Sequence, residues 1–87
     1  MQKKDLDEII EALTLSIVRQ ETEERFYRRS AEKTTTEEAS ALFLNIAEDL
    51  KQYRERLEEK KMEYVARKTE PAERRQEVDK LKLQKGR

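Results

Sequence analysis

The sequence predicts an all-α protein, an antiparallel helical hairpin that pairs with a second copy into a four-helix bundle, followed by a short C-terminal helix. Three observations predict it. Helix formers such as Glu, Lys, Arg, Ala and Leu dominate, with one Gly and one Pro in 87 residues. Two long stretches repeat apolar residues at helical spacing. A run of three threonines separates them.

The first stretch runs from about Lys4 to Lys33. Leu6, Ile10, Leu13, Ile17, Tyr27 and Ala31 fall on one face, and Gln20 and Glu24 keep the same four-three spacing between them. Ile9 and Val18 widen the stripe, which suits a bundle more than a narrow two-stranded seam. At 1.5 Å per residue this helix is about 45 Å long.

Thr34-Thr35-Thr36 breaks the pattern. β-Branched residues in a row disfavour a continuing helix. Thr34 with Glu37, or Thr35 with Glu38, has the spacing of a capping box for a new helix. The break argues against one straight coiled-coil helix, and so short a connection makes the two helices antiparallel neighbours.

The second helix runs from about Glu37 to Arg67. Its stripe reads Ala39, Phe43, Ile46, Leu50, Tyr53, Leu57 and Tyr64, with Leu42 and Val65 at its margins and Lys60-Lys61 interrupting it. Pro71 then closes this helix or opens another at its first turn. Residues 72–85 read as a weak helix anchored by Val78, Leu81 and Leu83. The domain reading is therefore a hairpin over 1–68 and an extension over 69–87.

Composition bounds the chemistry. Charged residues make up 46% of the chain and hydrophobic residues 34%, a thin apolar supply for a self-sufficient core. Both stripes are wider than one neighbouring helix covers. The expectation is a homodimer or higher homo-oligomer, with Leu13, Ile17, Phe43, Ile46, Leu50 and Leu57 at the interface. Twenty basic and 20 acidic residues balance, so the whole chain has no polyanion-binding signature. Residues 71–87 alone carry six basic and three acidic groups, which reads first as a solvated terminus, with docking of a protein partner through 70–87 as the alternative and nucleic acid not expected. There is no cysteine and no histidine, hence no disulfide, no thiolate site and no imidazole for acid–base work near neutral pH. No apolar run approaches a membrane span, and the N-terminal residues lead into an amphipathic helix, not a signal peptide. Together these predict a cytoplasmic protein with no membrane partner.

Glu21 to Lys33, with its Phe26-Tyr27 pair followed by Ala31-Glu32, is similar to the first core helix of the rubrerythrin branch of the ferritin-like superfamily. Thr36 to Glu48 resembles that family's short linker and the start of its second helix. The resemblance covers about residues 6 to 65, half of the family's four-helix unit. It implies a ferritin-like half-bundle, and in the family a di-iron carboxylate site inside the completed bundle. The family's first Glu falls on Gln20, its second on Leu50 and its His on Tyr53. All three depart from the ligand pattern, so neither a cofactor nor catalysis is expected. The competing reading is a small non-haem metal protein or oxidoreductase, with iron on Glu24 assisted by Gln20 or Tyr53. Glu24 lies four residues after Gln20 and shares its face. Without a metal, Glu24 would be satisfied by the Tyr53 hydroxyl or the Gln20 amide in a polar layer.

Overall fold

A computed structural model of the chain describes residues 2–69. Two helices, α1 over Lys3–Lys33 and α2 over Glu37–Thr69, pack along their length as a helical hairpin. Their bounds match the spacing-derived ones to within two residues. The expected helix over 72–85, with Val78, Leu81 and Leu83, lies outside the described residues, as does the rest of the basic tail.

The turn uses the threonines differently from the expected capping box. Thr34 ends α1 in an extended conformation, and its N–H donates to the Ser30 carbonyl at 3.2 Å. Thr36 is the residue that caps α2: the Ala39 N–H donates to Thr36 Oγ1 at 3.2 Å, and the Ser40 N–H donates to its carbonyl at 3.1 Å. With Thr36 as cap, the third helical position is Ala39, which has no carboxylate to reach back. Neither Thr34–Glu37 nor Thr35–Glu38 therefore forms the box. Glu37 and Glu38 instead sit in the first turn, beside the positive end of the helix dipole, and Arg67 and Lys68 occupy the last.

The seam between the helices is built from Leu6, Ile10, Leu13, Ile17, Gln20, Glu24, Tyr27 and Ala31 of α1, as the spacing predicts. On α2 the inward row is Phe43, Ala47, Leu50, Arg54, Leu57, Lys61 and Tyr64. Part of this row is turned by one residue from the expected stripe. Ala47 is fully buried, at 0% exposure, beside a half-buried Ile46. Ala31 is also buried, and two small residues near the turn let the helix backbones come close. By the same rotation Arg54 enters the row and Tyr53 leaves it, with 44% of its surface exposed. Leu42 and Val18, expected to widen the stripes, are exposed as well.

Only Leu6, Ile17, Ala31 and Ala47 are buried among the described residues. Leu13, Phe43, Ile46, Leu50 and Leu57 are each half-buried. No helix among the described residues is long and apolar enough to cross a membrane.

Close approach at Ala47 carries a consequence for substitution. Ala47→Leu is expected to destabilise the protein by about 1–3 kcal/mol, because added volume must force the helices apart. Ala41→Leu, on an exposed position of the same helix, is expected to stay within about 0.5 kcal/mol. Urea unfolding followed by circular dichroism measures both.

Candidate functional site

The most chemically distinctive place in the hairpin lies near mid-length, where an acidic residue stands in an apolar row. Glu24 projects from α1 toward α2 with its side chain only 12% exposed. A carboxylate so placed must be paired, because desolvation favours its neutral form. Arg54 of α2, itself 18% exposed, donates from Nη1 to Glu24 Oε1. Arg28, one turn further along α1, donates from Nε to Glu24 Oε2 at 2.8 Å. Both carboxylate oxygens are thus occupied by guanidinium groups.

The network extends outward from this centre. Arg54 Nε lies 3.3 Å from Glu58 Oε1, and Arg28 Nη2 lies 3.6 Å from Glu48 Oε2 across the seam. Arg25 and Glu21 form a looser pair at 3.8 Å. Toward the open end, Lys68 of α2 meets Asp7 of α1. Burial pushes the Glu24 carboxyl upward, but the hydrogen bonds and charges of Arg28 and Arg54 outweigh it and hold the group below its ordinary range. Burial likewise opposes the charge on Arg54, and Glu24, with help from Glu58 and Glu21, outweighs that and raises its affinity for its proton.

Glu24 is therefore satisfied by Arg54 and Arg28, a correction to the expectation that the Tyr53 hydroxyl or the Gln20 amide would do so. Gln20 lies in the seam, where its Oε1 is shut away from water without a donor. Tyr53 sits off the inward row with the Arg56 guanidinium over its ring at 5.7 Å. Leu50, at the third position where the resemblance places an iron ligand, is half-buried hydrocarbon. Among the described residues, no three acidic, His or Cys side chains gather in a way that could hold a metal ion. Gln20 contributes an amide and Tyr53 a phenol, and Glu24 could join them only by giving up both arginines.

Sequence spacing missed Arg54 and Arg28. The signal was present, however: an acid at a seam position calls for a cation opposite, and Arg54 adjoins Tyr53 in sequence. Of the residues expected at an interface, Ile17 is buried within the hairpin, while Leu13, Phe43, Ile46, Leu50 and Leu57 keep part of their surface open.

A stretch of stacked rings completes this region. Phe26 meets Tyr27 edge-on at 5.2 Å between centroids, and Tyr27 packs against Phe43 of α2 at 6.0 Å. Phe26 itself remains 55% exposed. Comparison with known proteins finds no family model, no curated protein and no solved structure that matches the chain.

The pairing of Glu24 has a definite pH signature. Its carboxyl is held lower in the folded state than in the unfolded one, so the stabilisation is fully present above the ordinary glutamate range and is lost as pH falls below it, through the lowered folded-state value. Glu24→Gln is expected to cost about 1–2 kcal/mol at pH 7, a deficit relative to the unsubstituted protein that shrinks as the pH is lowered into the acid range. Chemical denaturation of both proteins over a series of decreasing pH values reads the difference directly.

Proposed function

We propose that this chain is a non-catalytic structural or interaction protein, a ferritin-like hairpin that associates with a second copy to complete a four-helix bundle. The observation that carries this reading is the shortage of interior. Four buried hydrophobic residues serve two helices of 31 and 33 residues, while the remaining stripe residues stay partly wet. Each 100 Å² of apolar surface left in water forgoes about 2.5 kcal/mol, and a small domain has only about 5–15 kcal/mol of net stability in all. A second hairpin supplies the missing surface at no cost in new sequence.

The residue pattern favours a bundle of the rubrerythrin type, and the residues at its iron positions favour a bundle without iron. Gln20 offers an amide, Leu50 no ligand atom and Tyr53 a phenol, where the family pattern has two carboxylates and an imidazole. Glu24, the best alternative ligand, is neutralised by two arginines within its own hairpin. A metal would have to compete with both for the carboxylate.

Sedimentation equilibrium and metal analysis of one purified sample test this reading. The expected result is twice the mass of a single chain, without stoichiometric iron, manganese or zinc. A compact, fully folded monomer would overturn the association. One or two metal ions per dimer, lost in Glu24→Ala, would overturn the non-catalytic reading in favour of a metal protein.

A further inference from the structure

An open apolar groove lies along the seam toward the end of the hairpin away from the turn. Ile17, Glu58, Lys61, Met62, Val65 and Ala66 line it, and its volume is about 550 Å³. Ile17 is itself buried, whereas Met62, at 72%, is more exposed than any other large hydrophobic residue among those described. From Glu58 to Ala66 the groove spans about 12 Å of helix, and it is about one interhelix distance, roughly 10 Å, wide. That footprint, on the order of 100 Å², is far below the ~800 Å² each partner buries in a stable interface between two chains. Its size suits two or three aliphatic side chains, not a second hairpin.

The sequence places such side chains within reach. α2 ends at Thr69, about one turn beyond Ala66, and residues 70–87 follow, with Val78, Leu81 and Leu83 among them. Residues 71–87 carry six basic and three acidic groups, against 14 and 17 in residues 1–70. The two parts therefore have opposite net charges, +3 and −3.

We propose that residues 72–85 turn back at Pro71 and lie as a third, short helix over this groove, with Val78 and Leu81 seated against Ile17, Met62 and Val65. Pro71 suits the reversal: it has no N–H to continue α2, and it fits the first position of a new helix. The heights agree. At 1.5 Å per residue, Val78 comes about 9 Å and Leu81 about 13 Å after residue 72, running back along α2. On the same scale, Ala66 to Glu58 lie about 5 to 16 Å back from Thr69. Both apolar side chains therefore fall within the groove. Lys82, four residues after Val78 and so on the same face, comes level with Glu58 at the far margin. A short tether also holds the segment at an effective concentration in the millimolar range, so contacts by two side chains suffice where a separate molecule needs many. This docking concerns the chain's own tail and does not depend on the association of two hairpins proposed above.

Met62 reports whether the groove is filled, because a covered thioether is slow to oxidise. The full chain and its Val78→Ser/Leu81→Ser variant, both checked for helicity, are treated with dilute hydrogen peroxide, and sulfoxide at Met62 is followed by peptide mass. Both substitutions lie outside the hairpin and leave its seam untouched. The expected result is oxidation of Met62 at least about fivefold slower in the parent than in the variant, the effect of about 1 kcal/mol of docking, with Met1 reacting equally in both. Equal rates at Met62 overturn the docking. A second measurement says whose tail fills the groove. The chain has no cysteine, so a Val65→Cys/Val78→Cys chain carries a single pair. Mild oxidation is expected to join the two positions within one chain, seen as a monomer-sized species on a non-reducing gel. Closure is expected to be faster than in a Leu15→Cys/Val78→Cys chain, because Leu15 is 60% exposed and does not line the groove. A disulfide-linked dimer places the tail on a second copy and overturns its assignment to its own chain. Closure no faster than in the Leu15 variant overturns the groove as the docking site.

Discussion

Two helices in contact can dry only the strip between them, and this chain places a charge inside that strip. The Glu24 carboxylate cannot stay in the seam unpaired, so α2 must present a cation at the same height. Arg54 does so, with Arg28 closing the other oxygen. This requirement constrains the rotation of α2 about its own axis as well as its register. Once Arg54 faces inward, Ala47 does too, seven residues earlier on the same line. Tyr53 is carried to the flank by the same turn. The ion pair and the small-residue contact near the loop are therefore two consequences of one helix orientation.

That orientation sorts the remaining side chains. Ion pairs Arg28–Glu48, Arg54–Glu58 and Asp7–Lys68 lie on the side of the seam that Glu24 and Arg54 share. The rings of Phe26, Tyr27 and Phe43 follow one another across the two helices. A hairpin so paired has spent its electrostatic complementarity internally. What it has left to offer a neighbour includes exposed apolar side chains such as Val18, Leu42, Leu44 and Met62.

The same arrangement bears on chemistry. In the bundle we propose, the positions that resemble iron ligands line the interior, and here they hold an amide, an isobutyl group and a phenol. Two or more carboxylates gathered there would demand metal or protons to be buried. Neutral side chains make no such demand, so the interior can close on itself. The single acid nearby, Glu24, is turned toward Arg54 and Arg28 and neutralised before any second chain arrives.

Much of this was legible in the residues. The helix bounds follow from apolar spacing and from the Thr34–Thr36 break, because local propensity and periodicity act over short stretches that one sequence displays in full. The seam of α1 was legible too, since its row keeps an unbroken four-three spacing through Gln20 and Glu24. The row of α2 was not. Ile46 and Ala47, or Tyr53 and Arg54, are equally good helical choices one residue apart, and hydrophobicity favours Ile46 and Tyr53. Only packing decides between them, because the cost of an unpaired Glu24 and the close approach allowed by Ala31 and Ala47 arise between helices and not within one. Likewise three adjacent threonines are equivalent as caps until the chain's path through the turn aims the Thr36 hydroxyl at the Ala39 amide. Sequence alone determined that there are two helices and where they end; the tertiary contact decided which side of the second one faces the first, because that choice depends on partners 30 residues apart.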